Sequence, residues 1–182
     1  MGDWHPESPA RLQAINDQLI LAHISDLVEH RDGVRAQLSD IERNHSATAI
    51  GLVLDNVPAE GDYYPLDGDT LLNAHSYEAA LAAAGSAVIA TDAVIDGEIS
   101  NAFCAIRPPG HHARPSEPMG FCLFNNVAIA AKHALDVRGL ERVAIVDFDV
   151  HHGNGTAESV ANDPRILMVS FFQHPFYPYS DV

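Results

Sequence analysis

Residues 143–156 read VAIVDFDVHHGNGT, an apolar run that turns abruptly acidic and then rich in histidine and glycine. The β-branched run 143–146 predicts a buried strand. Alternate residues of an extended chain share a face, so we expect Asp147, Asp149 and His151 to point to one side. Carboxylate and imidazole donors without thiolate suit zinc, iron(II) or manganese. The segment therefore predicts a metal ion held between Asp149 and His151 at the end of a strand.

A simpler interpretation is that the two carboxylates only cap a helix. Neighbouring carboxylates after a buried strand repel each other, and this costs stability unless a cation or hydrogen-bond donors compensate. The metal site is therefore the favoured interpretation, and Gly153 and Gly155 allow the backbone to turn tightly beside it.

Two further apolar runs lie on either side of this strand in the sequence. Residues 102–106 (AFCAI) and 166–172 (ILMVSFF) predict buried strands, and residues 125–135 (NNVAIAAKHAL) predict a helix that precedes residue 143. Strands that alternate with helices indicate βαβ units and an α/β fold with a mostly parallel sheet. In such sheets, ligands bind at the carboxyl ends of the strands.

The rest of the chain is predicted to be largely helical. Residues 76–96 carry an apolar stripe at helical spacing, and Gly97 ends that helix. Residues 46–55 are compatible with a helix or a strand. Residues 5–22 predict a Pro-rich turn and then a helix, with Ser8 as the N-cap and Pro9 first in the helix. One or two short helices are expected over 24–44, with a turn at Asp32-Gly33. Residues 56–72 are expected to form a loop.

A second polar cluster, RPPGHHA at residues 107–113, also follows a predicted strand. Alone, two histidines in a loop are more typical of a solvated turn. Beside a metal, His111 and His112 become candidates for a general base and an electrostatic partner, because imidazole titrates near neutral pH. Asp147 and Asn154 are available to hydrogen-bond the far ring nitrogens and fix the tautomers.

A third cluster, PMGFCLFNN, occupies residues 118–126. Phe121 is a candidate wall of an apolar slot, and Gly120 would allow a ligand close to the backbone. A buried connection between a strand and a helix explains each of these residues equally well. Cys122 has no activating neighbour in the sequence and is not expected to be a nucleophile.

Composition limits the classes of partner and compartment. The chain has 182 residues, of which 47% are hydrophobic, enough for one domain with its own core. The 25 acidic and 10 basic residues give a net charge of −15, which argues against a nucleic-acid partner and permits a basic substrate. Two cysteines and no secretory leader predict a cytoplasmic location. No apolar run approaches the length of a membrane span, so no membrane partner is expected.

Taken together, HPESPARL, DGDT, RPPGHHA, PMGFCLFNN and VDFDVHHGNGT, in this order, resemble the histone deacetylase-like amidohydrolases. The likeness is to the class II, acetoin-utilisation and acetylpolyamine members, and it runs from His5 to about Pro178. It implies an arginase/deacetylase-like fold, a three-layer α/β sandwich with a central, mostly parallel sheet. It also implies hydrolysis of an acylated amine, such as acetyl-lysine or acetylpolyamine, or of another small acyl substrate.

The resemblance also implies roles for individual residues. Zinc would be held by Asp149 and His151, with a third ligand, an Asp, supplied from further along the family's chain. His111 and His112 would be the tandem histidines that activate water and protonate the leaving amine. Asp147 would pair with His111, and Asn154 with His112. Gly120 and Phe121 would line the substrate tunnel, with Tyr177 near its rim. A structural monovalent cation, usually K⁺, would be bound at Asp147, Asp149, His151, Ser170 and Phe171.

This chain departs from the family after Pro178, where it reads YSDV. The third zinc ligand and a transition-state tyrosine belong to the family's region beyond that point. We therefore expect residues 1–182 to form a single, incomplete domain whose C-terminal part is missing. We also expect it to work as a homo-oligomer or with a complementing chain.

Other functions stay open on the sequence alone. The same site could serve an esterase, or a ureohydrolase with two manganese ions, although the latter usually needs more bridging carboxylates. A further alternative is a catalytically weak fragment that binds metal or a partner, since missing strands would expose apolar edges.

Overall fold

The structure is a computed structural model that describes residues 5–179. Helices dominate it, and each of its two sheets has two strands. In chain order the elements are α1 (Ala10–Leu21), a 3-10 turn (Ser25–Leu27), α2 (Leu38–Glu42), α3 (Ala47–Leu54), β1 (Tyr64–Pro65), β2 (Leu71–Leu72), α4 (Ser76–Ile95), α5 (Asn126–Asp136), β3 (Val143–Asp147), α6 (Asn154–Val160) and β4 (Ile166–Ser170).

The predicted parallel pairing is present between β3 and β4, which α6 connects. The register pairs Val143 with Ile166 at one end and Asp147 with Ser170 at the other. One face of this pair packs on α5 and α6, where Ile145, Ile166 and Val160 are buried together with Ala131 and Leu135. The carboxyl ends of both strands therefore lie side by side at the start of the loop that begins at Phe148.

Helices α4 and α5 form the main core with α2 and α3. Leu81, Ala84 and Val88 of the predicted stripe are buried in it, and Gly97 follows α4 at φ +72°. Asn125 caps α5 because its side chain accepts a hydrogen bond from the backbone N–H of Ala128. This cap fixes the point at which the third cluster, residues 118–126, joins α5.

Helix α4 also bears on the expectation about membranes. By length and composition it is apolar enough to cross one, with a mean hydropathy of 1.5. No unbroken apolar run of that length marks it in the sequence, because Glu78 and Asp92 lie within the helix. Its packing against α5 and its buried Leu81 and Val88 are features of the core helix of a globular domain.

Several sequence predictions are resolved in detail. Residues 46–55 form a helix, α3, and Ser46 caps it by accepting from Ala49 N–H. The region 24–44 contains two short helical segments, as predicted. The loop over 56–72 carries a small antiparallel hairpin, β1–β2.

Two local predictions are wrong. Pro9 occupies the N-cap position of α1 with helical dihedral angles and no side-chain cap is made, so Ser8 contributes only its carbonyl oxygen, to Arg11 N–H. No turn forms at Asp32-Gly33. A side chain at residue 33 would collide with Ser86 of α4, so the segment runs along that helix instead of reversing.

The predicted strand over residues 102–106 is also wrong for the part of the chain that the structure describes. The segment has no ladder partner there, and Phe103 is 73% exposed. An apolar run becomes a strand only when a neighbouring strand takes up its backbone hydrogen bonds. No described strand lies beside this run.

Candidate active site

The loop after β3 is folded around its own carboxylates. Asp147 Oδ1 accepts a hydrogen bond from Asp149 N–H at 3.1 Å, and Asp149 Oδ1 accepts one from His151 N–H at 2.8 Å. The same Asp149 oxygen lies 3.1 Å from His151 Nδ1. Asp149 Oδ1 and His151 Nδ1 therefore lie next to each other, but in a segment that bends after β3 and is not extended as the spacing argument assumed.

The histidine loop is held against this segment by close backbone packing. Thr156 N–H donates to His111 C=O at 3.0 Å. A side chain at Gly155 would collide with the backbone of His112 and Ala113, and one at Gly110 would collide with Asn126 N–H. Gly155 thus permits the close approach of the two loops, and Gly110 lets the histidine loop pack on the start of α5.

Two hydrogen bonds join the loops through their side chains. His111 Nδ1 lies 3.0 Å from Asp147 Oδ2, and His112 Nδ1 lies 2.8 Å from Asn154 Oδ1. A carboxylate or amide oxygen can only accept, so both histidines carry their proton on Nδ1 in these bonds. Each ring therefore turns its Nε2 away from its partner, and His111 Nε2 lies 3.9 Å from Asp149 Oδ1.

Burial sets the charge states in this cluster. It lowers the pKa of His112 to about 4, with a further contribution from the charge of His111, so His112 is neutral at pH 7. Burial alone would raise the pKa of Asp147, but the hydrogen bond and charge of His111 outweigh it and leave the pKa below its usual value. The site thus combines an ionised carboxylate with a neutral imidazole.

Gly120 and Phe121 lie beside His112 and have left-handed backbone conformations, with φ of +55° and +67°. A Cβ atom on Gly120 would come within 2.7 Å of His112 Cδ2, so this position requires glycine. Phe121 N–H donates to Thr70 Oγ1 at 3.1 Å, and its ring packs edge-on against His5 at 4.5 Å. Thr70 and His5 thus hold Phe121 in a strained conformation.

Neither Thr70 nor His5 was singled out from the sequence as a site residue. They do lie in two of the motifs that carry the resemblance, DGDT and HPESPARL. Those motifs were the signal that could have identified them, but only the folded chain shows that they contact Phe121.

Tyr177 lies against His112 and His151. Its ring packs edge-on to His112 at 4.9 Å and to His151 at 6.1 Å between centroids. Burial raises the pKa of the Tyr177 phenol, as do the charges of Asp69 and Asp67, so the hydroxyl keeps its proton. Tyr177 can therefore offer an O–H donor within the cluster.

Ser170 ends β4 opposite Asp147, and Phe171 follows it. Phe171 N–H donates to the Asp147 carbonyl at 2.8 Å and extends the parallel ladder by one bond. Ser170 Oγ is buried and has no hydrogen-bond partner within residues 5–179. The hydroxyl is thus left open to a ligand or to another part of the protein.

A cavity of about 520 Å³ lies between α6 and β4, and Ser170 is among the residues that line it. His152 and Met168 line it, together with residues of the loop after α6, and it does not include His111, His112 or Tyr177. The catalytic interpretation rests on the histidine cluster, because polar groups of matched chemistry converge there.

Cys122 is buried, and burial raises the pKa of its thiol to about 12. A thiol in that state is not a nucleophile at neutral pH, which agrees with the sequence prediction. Within residues 5–179, no group of three His, Cys, Asp or Glu side chains converges to hold a metal ion. Asp149 and His151 thus form a pair of donors.

Comparisons with known proteins give a consistent result. The sequence profile of the histone deacetylase domain matches residues 5–182. A probable deacetylase from Archaeoglobus fulgidus is 41% identical over 176 residues, covering 96% of this chain and 48% of that protein. Histone deacetylase 5 of Arabidopsis thaliana is 40% identical over 191 residues, covering 99% of this chain and 29% of that protein.

Among solved structures, the HDA15 HD domain is similar with a TM-score of 0.91 and 35% sequence identity, covering 97% of this chain and 52% of that one. The match confirms the predicted arginase/deacetylase-like α/β fold class. The chain thus spans about half or less of the length of these relatives.

Proposed function

The chain belongs to the histone deacetylase domain family, and from this premise we propose that it forms the histidine-bearing part of a zinc-dependent hydrolase. The reaction is removal of an acetyl or other acyl group from an amine such as acetyl-lysine or acetylpolyamine. The observation that carries the proposal is the pair of hydrogen bonds His111–Asp147 and His112–Asn154, which set two imidazoles beside Asp149.

The chemistry of the donors fits zinc. Two donors that each lie ~2.0–2.1 Å from a tetrahedral zinc ion are roughly 3–3.5 Å apart. Asp149 Oδ1 and His151 Nδ1 are 3.1 Å apart, and both side chains are partly open to solvent. Asp149 and His151 would hold the ion, and a further donor would come from outside the described residues.

A monovalent cation, such as K⁺, fits the neighbouring strand ends. The buried Ser170 hydroxyl lacks a partner in the described chain and lies opposite Asp147 in the parallel register. A cation with oxygen ligands would satisfy that hydroxyl together with backbone carbonyls of the same segment. Asp147, Asp149, His151, Ser170 and Phe171 would form its surroundings.

Zinc, when bound, supplies a Lewis acid that polarises the acyl carbonyl and makes water more acidic. Side chains of this protein carry out the proton transfer. Asp147 places its negative charge where it stabilises the imidazolium that forms when His111 Nε2 takes a proton from water. His112, which is neutral and hydrogen-bonded to Asn154, can accept a hydrogen bond at Nε2 and orient that water.

Metal binding gives a test that does not depend on turnover. In equilibrium dialysis against zinc, the purified chain is expected to bind one ion per chain weakly, and Asp149→Ala or His151→Ala is expected to abolish that binding. His30→Ala, which removes an exposed histidine away from the site, serves as the matched control and should retain zinc. Equal zinc content in the wild-type chain and both site variants would contradict the assignment.

Hydrolysis is tested with an acetyl-lysine peptide and an acetylpolyamine in the presence of zinc. His111→Ala is expected to lower the rate about 100-fold or more, since general base catalysis contributes roughly 10²–10⁴-fold. Indistinguishable rates for wild type and His111→Ala would refute the catalytic role of the histidine pair.

A further inference from the structure

Residues 119–122 form a tight turn beside the candidate active site. Met119 N–H donates to the Cys122 carbonyl at 3.1 Å, and Cys122 N–H donates to the Met119 carbonyl at 2.9 Å. The two residues between them, Gly120 and Phe121, both have positive φ, of +55° and +67°. Two central residues in this conformation define a type I′ turn. The turn therefore sets the direction in which the Phe121 ring leaves the backbone.

The order of residues in this turn is the reverse of the usual one. Type I′ turns favour Asn or Asp first and Gly second, because glycine has no Cβ atom to oppose a positive φ. Here glycine comes first, where a Cβ atom would collide with His112, and Phe121 takes the second position. A bulky residue keeps such a conformation only where its surroundings hold it there. The contacts of Phe121 therefore have to maintain the turn.

One of these contacts is a hydrogen bond from Phe121 N–H to Thr70 Oγ1, at 3.1 Å. The Thr70 hydroxyl donates its own proton to Asp69 Oδ1 at 3.2 Å, so a lone pair stays directed at Phe121. Thr70 is fully buried. A buried hydroxyl that both donates and accepts cannot turn to another partner without the loss of a hydrogen bond.

The backbone around Thr70 fixes where this hydroxyl lies. Asp67 Oδ1 accepts hydrogen bonds from Asp69 N–H at 2.9 Å and from Thr70 N–H at 2.6 Å. The Thr70 carbonyl accepts a hydrogen bond from Leu66 N–H at 2.9 Å. Every polar group of Thr70 is thus hydrogen-bonded, and the loop that carries it is a rigid support for Phe121.

A second contact acts on the ring of Phe121. His5 packs edge-on against it, with 4.5 Å between the ring centroids. His5 Nδ1 accepts from Glu7 N–H, so the ring proton lies on Nε2, which is 3.2 Å from the Asp69 carbonyl. This contact limits where the Phe121 ring can go, whereas the hydrogen bond to Thr70 acts on the Phe121 backbone.

We propose that Thr70 is a positioning residue, whose hydroxyl keeps residues 119–122 in the type I′ form and so holds Phe121 as a wall of the apolar slot for the acyl group. Without the hydroxyl, Phe121 leaves the positive-φ region and its ring moves. The inference rests on the proposed function for the use of the slot, but the claim about the turn does not depend on it.

The first test follows the turn itself, by NMR on the full 182-residue chain. Thr70→Val keeps nearly the shape of threonine but has no hydroxyl. It is expected to speed amide hydrogen exchange at Phe121 about 10-fold or more, because a hydrogen bond is lost. It is also expected to weaken the NOE contacts between the rings of Phe121 and His5. Unchanged NOE contacts in Thr70→Val overturn the proposal.

Two further variants serve as controls. Thr70→Ser retains the hydroxyl and should keep both the slow exchange and the NOE contacts. Thr91→Val removes a hydroxyl that donates to the Ala87 carbonyl within α4, and should leave Phe121 as it is in the wild type. If Thr70→Val does not fold by circular dichroism, the wild type decides, since a Phe121 amide that exchanges as fast as an unstructured peptide overturns the proposal.

The second test uses hydrolysis of an acetyl-lysine peptide in the presence of zinc. Thr70→Val is expected to raise KM about 10-fold and to change kcat less than about 2-fold, because the slot binds substrate and transition state alike. In a Phe121→Ala background, the same substitution should have no further effect on KM. Thr70→Ser should have the wild-type KM. An equal rise in KM in both backgrounds would mean that Thr70 does not act through Phe121.

The two tests separate this inference from the proposed function. A wild-type chain that does not hydrolyse the peptide would count against the proposed function, and the NMR measurements would still decide the role of Thr70. A chain that hydrolyses the peptide, but in which Thr70→Val leaves Phe121 and KM unchanged, would support the function and overturn the inference.

Discussion

Asn154 Oδ1 accepts a hydrogen bond from His112 Nδ1 at 2.8 Å, and this bond ties the histidine loop to the first residue of α6. It selects the tautomer in which Nε2 of His112 carries the lone pair. Replacing the amide with a methyl group removes this selection without changing the backbone contact between Thr156 and His111.

We therefore expect Asn154→Ala to convert His112 from one tautomer to a mixture, and to lower hydrolysis about 10–100-fold, as loss of an outer partner does in metal enzymes. Imidazole ¹⁵N chemical shifts measure the tautomer directly. Asn154→Asp keeps an oxygen acceptor at this position and should preserve the Nδ1–H form. An unchanged tautomer in Asn154→Ala would show that the bond does not control His112.

The composition of residues 143–156 was enough to predict the strand, which the structure has as Val143–Asp147, while the ligand site at the strand end stays a prediction. The strand is a local feature, because its apolar, β-branched run decides it. After Asp147 the chain bends, and Asp149 and His151 are brought together by their own hydrogen bonds and not by the period of two of an extended chain.

From the sequence, residues 143–156 were expected to meet His111 and His112 at a shared edge of parallel strands. The two segments do meet, but no strand leads into His111 in the described chain, and the contacts of Thr156 with His111 and of Asn154 with His112 hold them together instead.

Long-range packing explains what the sequence did not predict. The run 102–106 has the composition of a strand, but a strand also needs a neighbour, and composition cannot supply one. The contact of Thr70 with Phe121, and the placement of Tyr177 on His112, likewise depend on how distant loops pack. Neither has a periodic signature in the sequence.

A buried ion pair anchors the start of the histidine loop. Glu7 is 4% exposed and accepts two hydrogen bonds from Arg107, at 2.7 Å and 2.6 Å. Burial alone would raise the pKa of Glu7, but Arg107 and Arg11 lower it below its usual value. Loss of one partner from a buried pair is costly, because the other charge is left without compensation.

We expect Glu7→Gln to lower the free energy of unfolding by about 2 kcal/mol, less than a fully buried pair because Arg107 is partly exposed. Glu29→Gln removes an exposed pair with Arg31 and serves as the control, and we expect it to leave the free energy of unfolding essentially unchanged, because solvent screens exposed charges. Urea denaturation measures both. Equal effects of the two substitutions would show that Arg107 does not depend on Glu7.

His45 makes stability dependent on pH. Its Nδ1 lies 3.0 Å from the Arg114 carbonyl and its Nε2 accepts from Asn125 N–H at 2.8 Å, so the neutral ring is needed in the fold. Burial lowers the pKa of His45 from 6.5 to about 4, opposed by the Arg114 carbonyl and aided by the charge of Lys132.

Because this pKa is lower in the folded state, the unfolded chain takes up the proton first as pH falls. The contribution of His45 is complete above pH 6.5 and is lost between pH 6.5 and about 4, at up to about 1.4 kcal/mol per pH unit. We expect His45→Gln to be less stable at pH 7 and to lose less stability between pH 6.5 and 4.5. Urea denaturation at several pH values gives both slopes, and parallel slopes would contradict this account.

Gly85 of α4 lies where the segment that precedes α2 crosses the helix. A Cβ atom there would collide with the backbone carbonyl of Val34 and the backbone N–H of Ala36, which donates to Leu81 C=O at 3.0 Å. Backbone atoms cannot move aside as a flexible side chain can. The helix therefore needs glycine at this position in spite of its poor helix propensity.

Gly51 of α3 is the matched control, because a Cβ atom there would meet only the Asp55 carboxylate, at 3.4 Å. Gly51→Ala should raise the free energy of unfolding by up to about 1 kcal/mol, the gain in helix propensity. Gly85→Ala has the same gain but must displace the crossing segment, and we expect a net loss of about 2 kcal/mol from overpacking. Chemical denaturation compares the two, and a stabilised Gly85→Ala would mean that the crossing segment does not pack on α4 as described.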